Sequence, residues 1–508
     1  MLEKPKCPYS KYVSLQATLL LVIITGICLS VIQYFLNRSL WLDEASLALN
    51  IINRSFFELA APLRNHQMAP IGFLWAERLA VSVFGKNEYA LRLFPLIGFL
   101  MCAPLLYLFS NKLTQNRVVA LLATAIFSTR CLLIRYASEV KPYSTDVFFA
   151  LLIFYLSVSL PLNRFKSLLV YGVVGSVAVL CSYPSTIILF VVGLYLLYFE
   201  VYQKKNFRLL IPFVCWAVTL GIYYCLIIHQ DPTTDSMVHS WRGYFLPLNS
   251  QLYGFVKRAV FGVFGDLLGS GSCYKIIAII SLVAIGFICK DRKYTLLYYI
   301  GAPVVVHLIL SSLKIYPFVI RLLLYLTPLV VLLYSLGLYY LFEYVSKRII
   351  ALPKLVLVVP ILIMLCPLMT KYPIFIEEIK PALRYLEKHI KKDEIVYTYY
   401  AAVPAFEFYR DIEFVDIENP IVVGTRNRHK HHKYKQELLQ LTGKVWFLFS
   451  HNIFLGSDDD EEAFMLDFLQ SEGSELIDAR TFRGSSLYYI DTKRPVDSSM
   501  NALESHEE

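Results

Sequence analysis

The chain has 508 residues, 57% of them hydrophobic and 17% charged, with a formal net charge of +9 and a mean hydropathy of +0.54. Soluble globular domains run closer to about 45–50% apolar and about 25% charged, so this composition excludes an ordinary soluble enzyme and defines a polytopic membrane protein. The positive balance does not point to nucleic acid, because much of it falls in short connections between apolar runs, where it sets orientation.

A bilayer core takes about 20 apolar residues per helix. Runs of that length or slightly shorter fall near 13–35, 90–110, 117–133, 144–161, 167–181, 185–202, 209–228, 274–289, 294–312, 322–343 and 355–369, which predicts about eleven transmembrane helices. The first run is too long for a signal core and reads as a retained anchor. Alternate connections carry Lys4, Lys6 and Lys11, then Lys112 and Arg117, Arg164 and Lys166, Lys204, Lys205 and Arg208, Lys290, Arg292 and Lys293, and Lys347, Arg348 and Lys354. The positive-inside rule makes that side cytoplasmic, with the N-terminus. The opposite, extracytoplasmic side then holds loops 37–89, 134–143, 229–273 and 313–321 and everything from Thr370, in a multi-pass protein of the inner or plasma membrane. The ten cysteines are scattered, no CxxC pair occurs, and neither a zinc site nor a disulfide framework is indicated.

In the first outer loop, segments 45–60 and 70–84 mix apolar and polar residues in the manner of helices lying in the interface plane. Composition changes near Ile376. A helix is expected over 377–391, strands over 394–400, 411–417, 444–450 and 485–491, and helices over 402–410, 433–441 and 461–470. That alternation predicts a small α/β domain with a largely parallel sheet. No Gly-rich phosphate loop is present, so no nucleotide cofactor is expected. The expected organisation is a transmembrane domain over 1–370, an extracytoplasmic α/β domain over 371–495 and a disordered tail over 496–508.

The residues that could carry chemistry gather at span ends on the outer side. Asp43 and Glu44 are adjacent carboxylates just after the first span. Consecutive helical residues point about 100° apart, so one can face a substrate while the other orients it or holds a cation. Asp43 is a candidate general base; a plain N-cap accounts for its position equally well. Loop 134–143 brings Arg135, Glu139, Lys141 and Tyr143 to the membrane edge, where charge is costly and faces a cavity or partner. Arg135 and Lys141 could neutralise an anionic leaving group, or simply snorkel. Arg321, opening a span after Tyr316-Pro317, suits a lipid-linked phosphate or an interface anchor. His66 is a phosphate or hydroxyl partner or a loop histidine. The basic run 426–433 reads as a solvated loop rather than a metal site, and the acidic run 458–462 as a helix N-terminus.

Asp43-Glu44, the interfacial helices, the His66 to Pro70 turn, Ala90-Leu91-Arg92-Leu93, Arg135-Tyr136 to Glu139-Val140-Lys141-Pro142-Tyr143, Tyr316-Pro317 to Arg321 and a polar C-terminal domain occur in this order. In order and sidedness the chain resembles the GT-C glycosyltransferases, in the branch related to protein O-mannosyltransferases and aminoarabinose (lipid A) transferases. The resemblance implies a helical membrane protein that moves a hexose or pentose from a polyprenyl-phosphate donor to a glycan, lipid or protein acceptor of the cell envelope, with inversion. It implies Asp43 as base, with Glu44 and Glu139 as further acidic residues. His66, Arg92, Arg135, Lys141, Tyr143 and Arg321 would bind substrate. A divalent ion, if one is used, would take Asp43 and Glu139. Two departures bear on the donor's cationic partners: Ser46 and Leu47 follow the acidic pair where many relatives have Arg or Tyr, and His66 stands where some have Lys. The competing reading is a transporter or flippase of lipid-linked or small polar solutes, which would place charges inside several spans.

Overall fold

The computed structural model describes residues 9–230, 238–269, 271–347, 355–414, 417–427, 430–451 and 460–493. The expected tail 496–508, Arg428 and His429 of the basic run, and Asp458 and Asp459 of the acidic run lie outside the described residues. The chain divides into two units, one of residues 1–36, 54–85 and 89–374, the other of residues 37–53, 86–88 and 375–508.

Among the described residues, the first unit's regular elements are helices. Its helices are α1 (Tyr9–Phe35), α3 (Ile71–Phe84), α4 (Glu88–Thr114, whose first residue belongs to the second unit), α5 (Arg117–Ser128), α6 (Cys131–Ala137), α7 (Tyr143–Ser159), α8 (Phe165–Cys181), α9 (Pro184–Leu196), α10 (Leu210–Tyr223), α11 (Leu252–Phe261), α12 (Tyr274–Lys290), α13 (Tyr294–Ser312), α14 (Thr327–Ser346) and α15 (Leu355–Lys371); α2 (Leu42–Asn53) belongs to the second unit. Among the described residues, seven helices are long and apolar enough to cross a bilayer, α5 and α6 together are apolar enough to make up to an eighth span but bend by 65° at the break between them, and three shorter apolar helices lie at 143–159, 165–181 and 360–371. The apolar runs read from the sequence are helical, one of them interrupted within 117–133, as they must be where lipid offers the backbone no hydrogen-bond partners.

Burial ranks the spans. In Ile320–Ser346, 89% of the most apolar window is buried, against 22% in Leu15–Phe35 and 17% in Phe207–Ile228. The first is the centre of the bundle, and the other two turn apolar side chains such as Leu21, Ile24, Val214 and Ile222 outward. Small residues allow close crossings, as membrane helices require. A Cβ on Gly337 would stand 2.2 Å from the Ile280 carbonyl oxygen, and one on Gly26 would stand 2.4 Å from that of Ser128. Helix α3 exposes Trp75, Leu79, Val83 and Phe84 along one side while Phe73, Leu74, Glu77 and Val81 are buried. That is an outward apolar stripe on a helix too short to cross a membrane.

The broken span departs from the single run 117–133 expected from hydropathy. The helix stops at Thr129-Arg130 and restarts, so Arg135 and Tyr136 lie on α6 rather than in a loop. Arg130 is buried at the break, where its guanidinium donates to the carbonyls of Ile126 and Leu268 and to Thr129 Oγ1. Hydropathy averages over such a break, because an Arg that serves carbonyls locally costs little in a window of apolar neighbours.

The second unit contains a five-stranded sheet of order β2-β1-β3-β5-β4, with β1 Ile395–Thr398, β2 Ile421–Val423, β3 Lys444–Ser450, β4 Glu475–Phe482 and β5 Ser485–Asp491. Helices α16 (Ile379–His389), α17 (Val403–Ile412), α18 (His431–Leu439) and α19 (Glu461–Ser471) alternate with the strands. Two expectations need correction. Of the strand expected at 411–417, Asp411 and Ile412 are instead the end of α17, Glu413 and Phe414 N–H both donate to the Tyr409 carbonyl, Val415 and Asp416 lie outside the described residues, and a strand comes later, at Ile421–Val423. Phe414 and Ile417 are both buried. The sheet is also not largely parallel. β1 pairs in parallel with β2 and β3, whereas β5 is antiparallel to β3 and to β4. The missed β4 joins β5 through the two-residue turn Arg483-Gly484, with Gly484 at φ +70°, the tight connection that antiparallel hairpins favour.

Candidate functional site

In the second unit, the stretch that carries Asp43 is built into the α/β domain. Helix α2 packs on α17, and everything from Glu44 to Ile52 is buried. Leu40 N–H donates to Tyr409 Oη at 2.7 Å. Ser39 donates through N–H and Oγ to the two carboxylate oxygens of Glu378, both at 3.2 Å. Burial pushes the Glu378 carboxyl above its usual range, against the opposing pull of the Ser39 hydrogen bonds and of Lys380 and Arg38. Lys380 donates to the Asn37 carbonyl at 2.8 Å and pairs with Glu88 at 2.7 Å.

These ties hold the start of α2 in one place. Asp43 is its second residue, partly buried, one position past the first helical residue Leu42, and so lies inside the first turn rather than capping it. Glu44, about 100° further round, is fully buried and pairs with Arg38 at 2.5 Å. Among the second unit's neighbours of this stretch is also His451, whose ring centroid lies 5.8 Å from that of Trp41.

In the first unit, the end of α6 and the turn that follows it fold tightly. Arg135 Nε donates to Glu139 at 3.2 Å, with Glu139 fully buried. Lys141 is buried, its N–H donates to the Glu139 carbonyl at 2.7 Å, and its Nζ donates to Gln67 Oε1 at 2.7 Å. Tyr136 and Tyr143 meet edge to face at 4.9 Å. Arg135, Glu139, Lys141 and Tyr143 are thus brought together, and Gln67 joins them from the turn before α3. His66 is exposed on that turn, with φ +50°; the sequence pointed to the histidine, but its neighbour is the residue that meets Lys141. Arg92 is buried in α4. Arg321 stands over the Trp241 ring at 4.6 Å. Beside it, a groove of about 570 Å³ is lined by Tyr244, Phe255, Phe261, Phe318 and Ile320, with Lys257 and Arg258 on α11.

Glu77 on α3 was not singled out in the sequence. It is fully buried, and neither carboxylate oxygen has a hydrogen-bond partner among the described residues, so burial drives its carboxyl well above the usual range. Its signal was a lone acid inside the apolar helix Ile71–Phe84. Among the described residues, no group of three or more His, Cys, Asp and Glu side chains is arranged to hold a metal ion.

Residues 68–229 match the family model for dolichyl-phosphate-mannose-protein mannosyltransferases. No curated protein sequence matches the chain. The fold is similar to that of ArnT from Cupriavidus metallidurans bound to undecaprenyl phosphate, at 9% identity over 93% of this chain and 98% of that one, with a TM-score of 0.54. It is similar also to the oligosaccharyltransferase AglB from Archaeoglobus fulgidus in complex with an inhibitory peptide and a dolichol-phosphate, at 11% identity over 95% of this chain and 74% of that one, with a TM-score of 0.50. The protein is therefore a multi-pass membrane protein of the GT-C glycosyltransferase fold with a C-terminal sheet domain. Within that fold, the part that also resembles a family in sequence is the stretch 68–229, which is similar to the mannosyltransferase model.

Proposed function

We propose that the protein transfers a hexose or pentose from a polyprenyl-phosphate donor to a hydroxyl-bearing acceptor of the cell envelope, on the extracytoplasmic face and with inversion. The match of residues 68–229 to the mannosyltransferase family model carries this reading. That span includes the Arg135 to Tyr143 cluster. In the reaction, the acceptor O–H gives its proton to the Asp43 carboxylate. The acceptor oxygen bonds to the anomeric carbon from the face opposite the phosphate. The bond from that carbon to the phosphate oxygen breaks, and its electron pair leaves on the lipid phosphate.

A lipid phosphate is already an activated leaving group, so the protein need supply only a base, cations and orientation. Arg135, Lys141 and Arg321 are assigned to the donor phosphate, with His66 and Arg92 as further substrate-binding residues and Glu139 as the acid that holds Arg135. The apolar groove beside Arg321 suits an isoprenoid chain. The N-terminus is cytoplasmic in this scheme, and the C-terminal domain faces the acceptor.

The test is release of polyprenyl phosphate by purified protein from undecaprenyl- and dolichyl-phosphate hexoses and pentoses, without any ion gradient. Asp43→Asn is expected to lower turnover by at least about 10²-fold. Retained turnover in that variant removes Asp43 from the role of base. A wild-type protein that moves these lipids between leaflets without cleaving them is a transporter instead.

A further inference from the structure

The Glu377-Glu378 dipeptide reaches in two directions within the second unit. Glu378 holds Ser39, four residues before Asp43. Glu377, buried, accepts from the ring of His451, with Nδ1 to Oε1 at 2.5 Å. His451 follows directly on β3, at the carboxyl end of a strand that runs parallel to β1. After β1 the chain crosses to β2 on one side, while after β3 it goes on to the β4–β5 hairpin on the other. The ends of β1 and β3 therefore flank the topological switch point, where open α/β sheets form a crevice that takes ligands.

The local backbone is specialised there. His451 has φ +59°, in the left-handed region that non-glycine residues rarely adopt. Its N–H donates to the Gly484 carbonyl in the β4–β5 turn. Gly484 leaves room for the acid: a Cβ there would stand 3.0 Å from Glu377 Cγ and from the Ile376 carbonyl oxygen. A buried carboxylate on Nδ1 fixes the ring's orientation and its tautomer, which leaves Nε2 as the atom that can accept a proton or hydrogen bond. The His451 side chain keeps 21% of its surface exposed, and Nε2 makes no hydrogen bond among the described residues. The Trp41 indole lies beside it, two residues from Asp43.

We propose that His451, oriented by Glu377, is a positioning residue that accepts a hydrogen bond from the hydroxyl of a sugar acceptor, with Trp41 against the apolar face of the same sugar. The inference rests on the transferase reading and extends it, since it assigns the acceptor to a pyranoside and its recognition to the α/β domain. An aromatic face beside a fixed polar group is the arrangement that suits a sugar ring, which is apolar on its faces and rich in hydroxyls at its edge.

The experiment uses the purified full-length protein, a polyprenyl-phosphate sugar that wild type cleaves, and methyl hexopyranosides as acceptor probes. His451→Ala is expected to raise KM for the pyranoside by about tenfold, the effect of one lost hydrogen bond to a bound group. The donor KM should stay that of wild type, kcat should change less than KM, and His451→Gln should restore part of the affinity. Glu377→Gln should raise the pyranoside KM in the same direction. An unchanged pyranoside KM in His451→Ala overturns the proposal. So does a parallel loss of donor and pyranoside affinity with a lowered thermal midpoint, which marks a structural role. Donor cleavage with no transfer to any pyranoside overturns the acceptor class. A wild type that cleaves no donor condemns the transferase reading itself, and is thereby distinguished.

Discussion

Arg38 and Glu44 form an ion pair of 2.5 Å in which neither side chain is exposed, and it sits one residue away from Asp43. Adjacent acids in α2 thus have opposite fates. Breaking a buried pair by removing one partner leaves an uncompensated charge and costs about 3–5 kcal/mol. Glu44→Ala is therefore expected to lower the thermal midpoint of the detergent-solubilised protein by several degrees. Asp43→Asn is expected to change stability by under about 1 kcal/mol while it abolishes transfer. Thermal unfolding and a transfer assay on the same two preparations separate these roles.

Truncation should not release a working membrane domain. Residues 37–53 belong with 375–508, through Leu40 to Tyr409, Ser39 to Glu378 and α2 on α17. Deleting residues 376–508 is expected to leave α2 without its apolar neighbours, to lower the monodisperse yield on size exclusion, and to abolish transfer, although Asp43 is untouched.

Glu77 gives a pH dependence whose sign is set by its burial. Its folded pKa lies well above the unfolded value, so the folded state holds the proton more tightly. Its favourable contribution is present below the unfolded pKa and is lost as pH rises through the folded one. Glu77→Gln should therefore flatten the decline of the thermal midpoint as pH rises above the ordinary carboxylate range, and stabilise the protein at the upper end. A steeper decline in the variant would contradict this account.

Gln67 accepts from Lys141 Nζ at 2.7 Å, which fixes the direction of that cation. Gln67→Ala is expected to raise the donor KM by roughly 3–10-fold, the effect of one hydrogen bond to a charged group. His66→Ala, which alters an exposed side chain on the same turn, should change it less.

Close packing predicts a further loss. At Gly337 a side chain would run into the Ile280 backbone, which cannot move aside as a rotamer can. Gly337→Val is expected to cost about 1–3 kcal/mol through overpacking, read as a lowered thermal midpoint.

The spans were legible because lipid imposes one rule on every backbone group, and an apolar run of sufficient length has no alternative to helix. Strands β3 and β5 and helices α16, α17 and α19 were legible from periodicity for a similar reason, since each has one face to bury. The strand at 411–417 failed because Ile412 and Phe414 alternate like strand residues, yet Ile412 is the last residue of α17 and Phe414 N–H closes on the Tyr409 carbonyl. β4 was missed because Glu475–Phe482 is largely exposed, with little apolar pattern to read.

Residue types and order along the chain determined a membrane protein, its helices, and a short roll of charged residues at span ends, because those follow from local composition. Tertiary structure alone decided that Glu44 is consumed by Arg38, that Gln67 rather than His66 meets Lys141, and that Glu377 orients His451. Such pairings join residues from 6 to 74 positions apart among 508, and no local pattern encodes them. They exist because buried charges and polar atoms must find partners in three dimensions.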